Sequence, residues 1–286
     1  RGLQGLAQGA DVDLVDLVSG GLCAFFELLG QLGGLAGGGL EQRAPLGARV
    51  YAGKFFARHG DIQKAAAIGD TILMVDPDNP AGHYLRGEGL LAAGKLDEAR
   101  TELTRASSSD ADVQYFDALG RAAVASFAAT NDSKYQELAI HAYMQATEAD
   151  PTWFNPWAGL GRLHVQRHEF TKSLEELDHA FKIKQDAEVA FDFGLAYKTL
   201  GPQATAIEWL ETSTKLDPKH AEAWFRLGEL YHDANRPGDD RKMIDAFEKA
   251  TRLGVAEEAQ GKPLDWLTDA FYTLGDQYML VHDESG

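Results

Sequence analysis

Residues 221–231 read AEAWFRLGELY, and residues 154–164 read FNPWAGLGRLH. In each, a tryptophan (Trp224, Trp157) is followed three and four residues later by Leu-Gly (Leu227-Gly228, Leu160-Gly161). Spacings of three and four place side chains on one helical face. Phe193-Gly194 fills the same place in its own stretch, and Gly53, Gly87 and Gly120 occupy about the same slot. A missing side chain there lets a paired helix come close. Tyr197 and Tyr231 fall about one turn further on, with Phe56 near that slot. The phrase therefore reads as a packing device and not as a chemical site.

Working outward, DPDN (76–79), DPTW (150–153) and DPKH (217–220) are turn signals. Counting back from the prolines, Gly60 and Ala65 stand before Pro77 at the distances at which Gly201 and Ala206 stand before Pro218. Ala139 precedes Pro151 at the alanine distance. Ala65, Ala99, Ala139 and Ala206, with Ser173 substituted, mark a small contact position in a second helix; Leu103, Tyr143, Leu177, Leu210 and Phe247 follow it by one turn. Gly60, Gly94 and Gly201 mark inner turns. The units run 46–79, 80–113, 114–153, 154–186, 187–220 and 221–254. The third has about seven extra residues, expected before its second helix; the sixth has about three at its inner turn, around NRPGDD, with Gly254 expected as its helix stop. Residues 255–286 hold one more striped helix, DAFYTLGDQYML within 263–281, a terminal cap or half a repeat.

This pattern resembles the tetratricopeptide repeat family, whose unit is a helix–turn–helix of about 34 residues. The resemblance implies an all-α solenoid, a right-handed superhelix of antiparallel helix pairs with the first helices lining its concave side. A single hairpin buries too little to stand alone, so each shares its stripe with the next. In this family the concave face often binds an extended peptide or a partner helix. Carried over position by position, the groove comprises Lys54, Arg58, Tyr84, Glu88, Arg121, Asn155, Arg162, Phe191, Phe225, Glu229 and His232, with Asp117, Ala158 and Leu195 in neighbouring slots. Tyr84, Phe191 and Phe225 are expected as exposed aromatic contacts. Arg121 and Arg162 are expected to hold carboxylates or to donate to main-chain carbonyls. The Lys–Asn–Arg clamp by which co-chaperones of this family grip acidic tails is not matched: Lys54 is present, but Glu88 stands where a positive or amide group is wanted.

Other candidate chemistry is thin. HVQRHE (164–169) sets His164 and His168 four apart, on one face if helical, but Val165 stands where a metalloprotease needs glutamate. His164 also fills the aromatic slot and His168 the inner-turn glycine slot, so both read as structural. No nucleophile elbow or phosphate loop of the GxxxxGK[ST] kind is present, and the aspartates recur at repeat boundaries. No catalytic residue, metal or cofactor is expected.

The chain has 286 residues, 44% of them apolar, and a net charge of −17. That is too apolar for a disordered acidic chain and too acidic for a general nucleic-acid backbone binder. Cys23 is the only cysteine, so an intrachain disulfide is excluded; in LCAFFELL it reads as a buried, inert thiol. Residues 1–45 are Gly- and Leu-rich, with one helix expected over 12–32 and a break at GGLAGGG. Glu27 interrupts the best apolar run, so no transmembrane segment is expected. Leu22, Phe25, Phe26 and Leu29 are docking candidates for a cap or a subunit contact. The reading is a non-enzymatic scaffold that takes a protein or peptide partner, basic segments being favoured by the acidic surface. The alternative is an assembly subunit that self-associates through the N-terminal segment or the solenoid ends. Bacterial pilus, secretion, envelope and organelle assembly factors are contexts where the family is common; the compartment, cytoplasmic or periplasmic, is not fixed by the sequence.

Overall fold

The computed structural model describes residues 44–234 and 238–283. The N-terminal expectations, including the 12–32 helix, Cys23 and the docking residues Leu22, Phe25, Phe26 and Leu29, lie outside the described residues, as does the NRP of NRPGDD. The described chain is all helix and turn, and the helices pair in antiparallel hairpins. It divides near residue 135 into two compact units.

In the first unit α1 (Leu46–Arg58) packs on α2 (Ile62–Leu73), α3 (Pro80–Ala92) on α4 (Leu96–Ser109), and α5 (Val113–Thr130) follows. From the boundary onward come α6 (Ser133–Ala149), then the pairs α7 (Phe154–Gln166) with α8 (Phe170–Ile183) and α9 (Ala187–Leu200) with α10 (Gln203–Leu216). They are followed by α11 (Ala221–Ala234) with α12 (Asp239–Glu258), and by α13 (Leu267–Asp283).

The boundaries follow from local chemistry. In the three Asp-Pro turns the N–H of the fourth residue (Asn79, Trp153, His220) donates to the aspartate carbonyl at 3.1–3.2 Å. Asn79 then caps α3 by accepting from the Gly82 N–H, with Pro80 in the first turn, where its missing donor costs nothing. Asp61, Asp112 and Asp186 cap α2, α5 and α9 in the same way. The repeated tryptophans act on these turns. The Trp157 indole N–H donates to the Pro151 carbonyl at 2.9 Å, and that of Trp224 to the Pro218 carbonyl at 3.0 Å. Each ring thus ties its own helix to the turn that precedes it while half-burying its apolar body, as an amphipathic indole should.

The glycine slot is a close approach. A Cβ added at Gly87, Gly161, Gly194 or Gly228 would stand 2.5–2.9 Å from Leu103, Leu177, Leu210 or Phe247 of the paired second helix. These four large side chains are at most 1% exposed. The tightest backbone approach lies elsewhere, at Gly69 of α2, where a Cβ would meet the Arg86 N and the Gly82 O of α3 at 3.0 Å. Backbone cannot rotate aside as a side chain can. Gly69→Ala is therefore expected to cost about 1–2 kcal/mol after the helix-propensity gain of Ala over Gly is deducted. A urea midpoint equal to or above wild type would show that α2 and α3 can separate freely.

Three expectations are corrected. Gly254 does not stop a helix: α12 runs on to Glu258, and a Cβ at 254 would meet Leu267 at 2.8 Å and Trp266 at 3.0 Å. The glycine admits the start of α13. The extra residues of the third unit are not confined to the stretch before its second helix. They lengthen the helices, α5 to 18 and α6 to 17 residues, because an Ala-rich run (AAVASFAAT) favours continued helix. His164 and His168 do not share a helical face, since α7 ends at Gln166 and His168 lies beyond it at φ +60°, in the turn conformation that glycine adopts at 60 and 94. His164 is buried and pairs through Nδ1 with Glu176 Oε2 at 2.5 Å.

Candidate functional site: the first-helix faces

In the first unit, four of the expected groove residues join one network. Lys54 Nζ on α1 lies 2.6 Å from Asp112 Oδ2, at the cap of α5, and 4.9 Å from the Tyr115 ring centre. Burial works against its charge, but Asp112 and the Tyr115 hydroxyl outweigh it and hold the ammonium pKa above its ordinary value. The Tyr115 ring stands 5.1 Å from that of Tyr84 on α3. One turn along α3, Glu88 pairs with Arg121 Nη2 of α5, whose Nε lies 3.4 Å from Asp117 Oδ2. Burial, then the Glu88 charge, pushes the Tyr84 phenol well above its usual range, so it stays a neutral donor. Arg58 is exposed at the end of α1.

The second unit repeats the arrangement with different parts. Arg162 of α7 donates from Nε to Asp192 Oδ2 at 3.0 Å and from Nη2 to Glu188 Oε2 at 3.1 Å, both on α9. Asp192 is 3% exposed. Burial, only partly offset by Arg162, pushes its carboxyl up to about 6. Glu188 also faces His220, whose Nε2 lies 3.4 Å away without a hydrogen bond. Further along, Glu229 of α11 accepts from Lys198 of α9 at 2.9 Å and from Arg226 at 3.2 Å. Asn155 is exposed near the start of α7, and the half-exposed His232 lies 3.5 Å from the Asp233 carboxylate.

Two expectations about this face are corrected. Tyr84, Phe191 and Phe225 are not exposed contacts; they are 7%, 6% and 3% exposed. Residues that lead into the following helices cover two of them: Phe191 lies against His220, just before α11, and Phe225 stacks on Trp266, just before α13, with ring centres 5.0 Å apart. Nor are the arginines open receptors for an incoming carboxylate. Arg121 and Arg162 each already hold two carboxylates, with side chains 40% and 42% exposed. Neither Nη1 donates to any described residue. The remaining valence of each guanidinium suits a carbonyl oxygen, the second role expected of it.

Asp112, Tyr115, Asp192, Glu188 and Lys198 belong to these networks and were not among the expected groove residues. Asp192 carried a readable signal, an acid inside the apolar run AFDFGLAY. The others did not, because their partners lie on other helix pairs. Among the described residues no group of three His, Cys, Asp or Glu comes together as a metal ion would need, and no helix is long and apolar enough to cross a membrane.

Profiles described as tetratricopeptide repeat match residues 56–123 and again 191–252, covering hairpins in both units. The chain belongs to the tetratricopeptide repeat family. Among curated proteins it is 30% identical to the Arabidopsis thaliana Protein CTR9 homolog over 115 residues, 40% of this chain and 10% of that protein. The chain thus spans about a tenth of the length of the curated relatives it matches. Among solved structures it is similar to pilF of Pseudomonas aeruginosa (14% identity, 78% of this chain and 95% of that one, TM-score 0.59). It is also similar to a chain of the APC/C hetero-tetramer Cut9-Hcn1 (19% identity, 88% of this chain and 48% of that one, TM-score 0.58). At these identities the structural likenesses establish a shared fold.

Proposed function

We propose that this protein is a non-enzymatic scaffold that holds extended segments of partner protein on the first-helix face of each of its two units, through main-chain and charged contacts. The carrying observation is the paired setting of Arg121 and Arg162. Each is fixed by two carboxylates, each is about two-fifths exposed, and each keeps an Nη1 with no acceptor among the described residues. A guanidinium held in one geometry loses little entropy when it takes a carbonyl. The aromatics beneath are already committed to packing, so polar groups are what this face offers. With two carboxylates to each arginine, basic partner segments are favoured, and the charge of −17 steers them. The relative in the Cut9-Hcn1 hetero-tetramer is itself part of a multi-chain assembly, in keeping with this reading.

The test is a displayed library of extended peptides selected against the purified chain, followed by affinity measurement with Arg121→Lys/Arg162→Lys. Lysine keeps the charge that Asp117 and Asp192 require but loses the fork. Selected peptides are expected to carry Lys or Arg and to bind the double variant about tenfold more weakly, at unchanged melting temperature. Unaltered affinity would remove this face from the site.

A further inference from the structure

Three residues before the close-approach glycine of a first helix stands an aromatic ring in α3, α9 and α11: Tyr84 before Gly87, Phe191 before Gly194 and Phe225 before Gly228. In α7 Ala158 takes that place before Gly161. The three rings are 7%, 6% and 3% exposed, so each is packed. Phenylalanine meets the demand of this slot twice in one chain. The fold therefore requires a ring there and no hydroxyl, and the oxygen of Tyr84 is surplus to packing.

That oxygen is also unused inside the protein. Two other buried tyrosines have partners: the Tyr115 hydroxyl meets Lys54, and Tyr231 donates to Glu211 Oε1 at 2.7 Å. The Tyr84 hydroxyl feels the charges of Glu88, Arg121, Asp117 and Asp112 but makes no hydrogen bond with a described residue. A hydroxyl both enclosed and unbonded would cost free energy. This one is not among the enclosed polar atoms that lack a partner, so the small exposed part of the residue includes its polar tip.

The surroundings decide what it can take. Three carboxylates and one guanidinium act on the hydroxyl, a net negative field that repels an anionic acceptor. In the same network Arg121 keeps an Nη1 with no acceptor among the described residues. Two donors without acceptors, in a field that repels anions, call for a neutral acceptor. An amide carbonyl, with two lone pairs and no charge, is that group. A lysine ammonium is the competing occupant, because a hydroxyl oxygen also accepts and the field is negative. It would leave both donors unused and stand close to the Arg121 charge.

We propose that Tyr84 is a specificity residue of the first unit, its hydroxyl donating, with Arg121, to main-chain carbonyls of the extended partner segment. This rests on the scaffold reading above and adds to it a difference between the units. Around Arg162 the equivalent slots hold Ala158 and Phe191, which have no hydroxyl, so the second unit grips its segment without this donor.

The test takes peptides selected against the purified full chain and sorts them by Arg121→Lys and Arg162→Lys made singly. Those weakened by Arg121→Lys are first-unit binders. Tyr84→Phe is expected to weaken them by about fivefold or more and to leave those weakened by Arg162→Lys unchanged. Its melting temperature is expected to match wild type, since phenylalanine already fills this slot in α9 and α11. The loss is expected to persist when every Lys and Arg of the peptide is replaced by norleucine, because the carbonyls remain. Equal affinity of first-unit binders for the Tyr84→Phe chain overturns the proposal and leaves the scaffold reading standing. A loss that vanishes with the basic residues also overturns it, the hydroxyl then holding an ammonium. So does a lowered melting temperature, which assigns the hydroxyl to the fold. If no peptide responds to Arg121→Lys, the first unit holds no such segment and the proposal falls; if none responds to either single variant, the scaffold reading falls with it.

Discussion

Phe247→Ala is expected to lower unfolding free energy by about 4 kcal/mol, near the middle of the range for truncating a buried phenylalanine. Phe247 is 1% exposed and sits in the core formed by α9 to α13. Its ring fills the gap opposite Gly228, with the Phe225 ring 6.0 Å away. Alanine would leave a cavity against a helix face that has no side chain at Gly228 to relax into it, so little of the loss is recovered. Phe247→Leu keeps most of the volume and is expected to cost about 1 kcal/mol. Phe271→Ala, on a ring that is 49% exposed, is expected to cost under about 0.5 kcal/mol. Urea unfolding followed by far-UV circular dichroism, with Trp224 and Trp266 fluorescence as the local report, separates the three. A loss below about 1.5 kcal/mol for Phe247→Ala would mean that the α11–α12 pair does not depend on its glycine socket.

The second large effect is electrostatic. Asp192 is expected to titrate near 6 in the folded chain, against an ordinary value of 3.8. Burial raises it, Arg162 opposes the rise, and Glu188 and Glu222 add to it. Below about pH 4 the carboxyl is protonated in folded and unfolded chains alike and contributes no difference. Above pH 6 it is ionised in both, and the folded state carries the cost of holding that charge out of water. A difference of about two pKa units is worth on the order of 3 kcal/mol. The contribution of this group to stability is therefore greatest in acid and is lost as pH rises from about 4 to about 6. Wild type measured against Asp192→Asn should become less stable relative to the variant by about that amount between pH 4 and pH 7. Parallel pH–stability curves for the two chains would mean that Asp192 is ionised without penalty, and that Arg162 offsets the whole cost of its burial.

The periodic residues were legible because each of them answers to one local requirement. Glycine in a first helix, alanine and then leucine in the second, and an Asp-Pro turn between pairs are all set within about 34 residues of one another. The contacts they predict, such as Gly194 on Leu210 and Gly161 on Leu177, are the ones present. The first-helix faces were harder to read. Tyr84, Phe191 and Phe225 stood off the core stripe and were large, which described exposed anchors equally well as side chains pinned by the next pair. How one hairpin sits on its neighbour decides between these, and no residue within the hairpin records it. The arginines are legible as first-helix residues, but Glu88, Glu188 and Asp192, which hold them, come from other pairs at sequence separations of about 26 to 33.

By itself, then, the sequence determined an all-helical chain of hairpins, where the turns fall, and which small residues meet which large ones, because those are constraints of helical periodicity and close approach. Only the tertiary structure decided which aromatic rings remain in contact with solvent and which charges are already paired. Stacking sets the burial of each face, and burial in turn fixes what a tyrosine, an aspartate or a glycine at a given position is able to do.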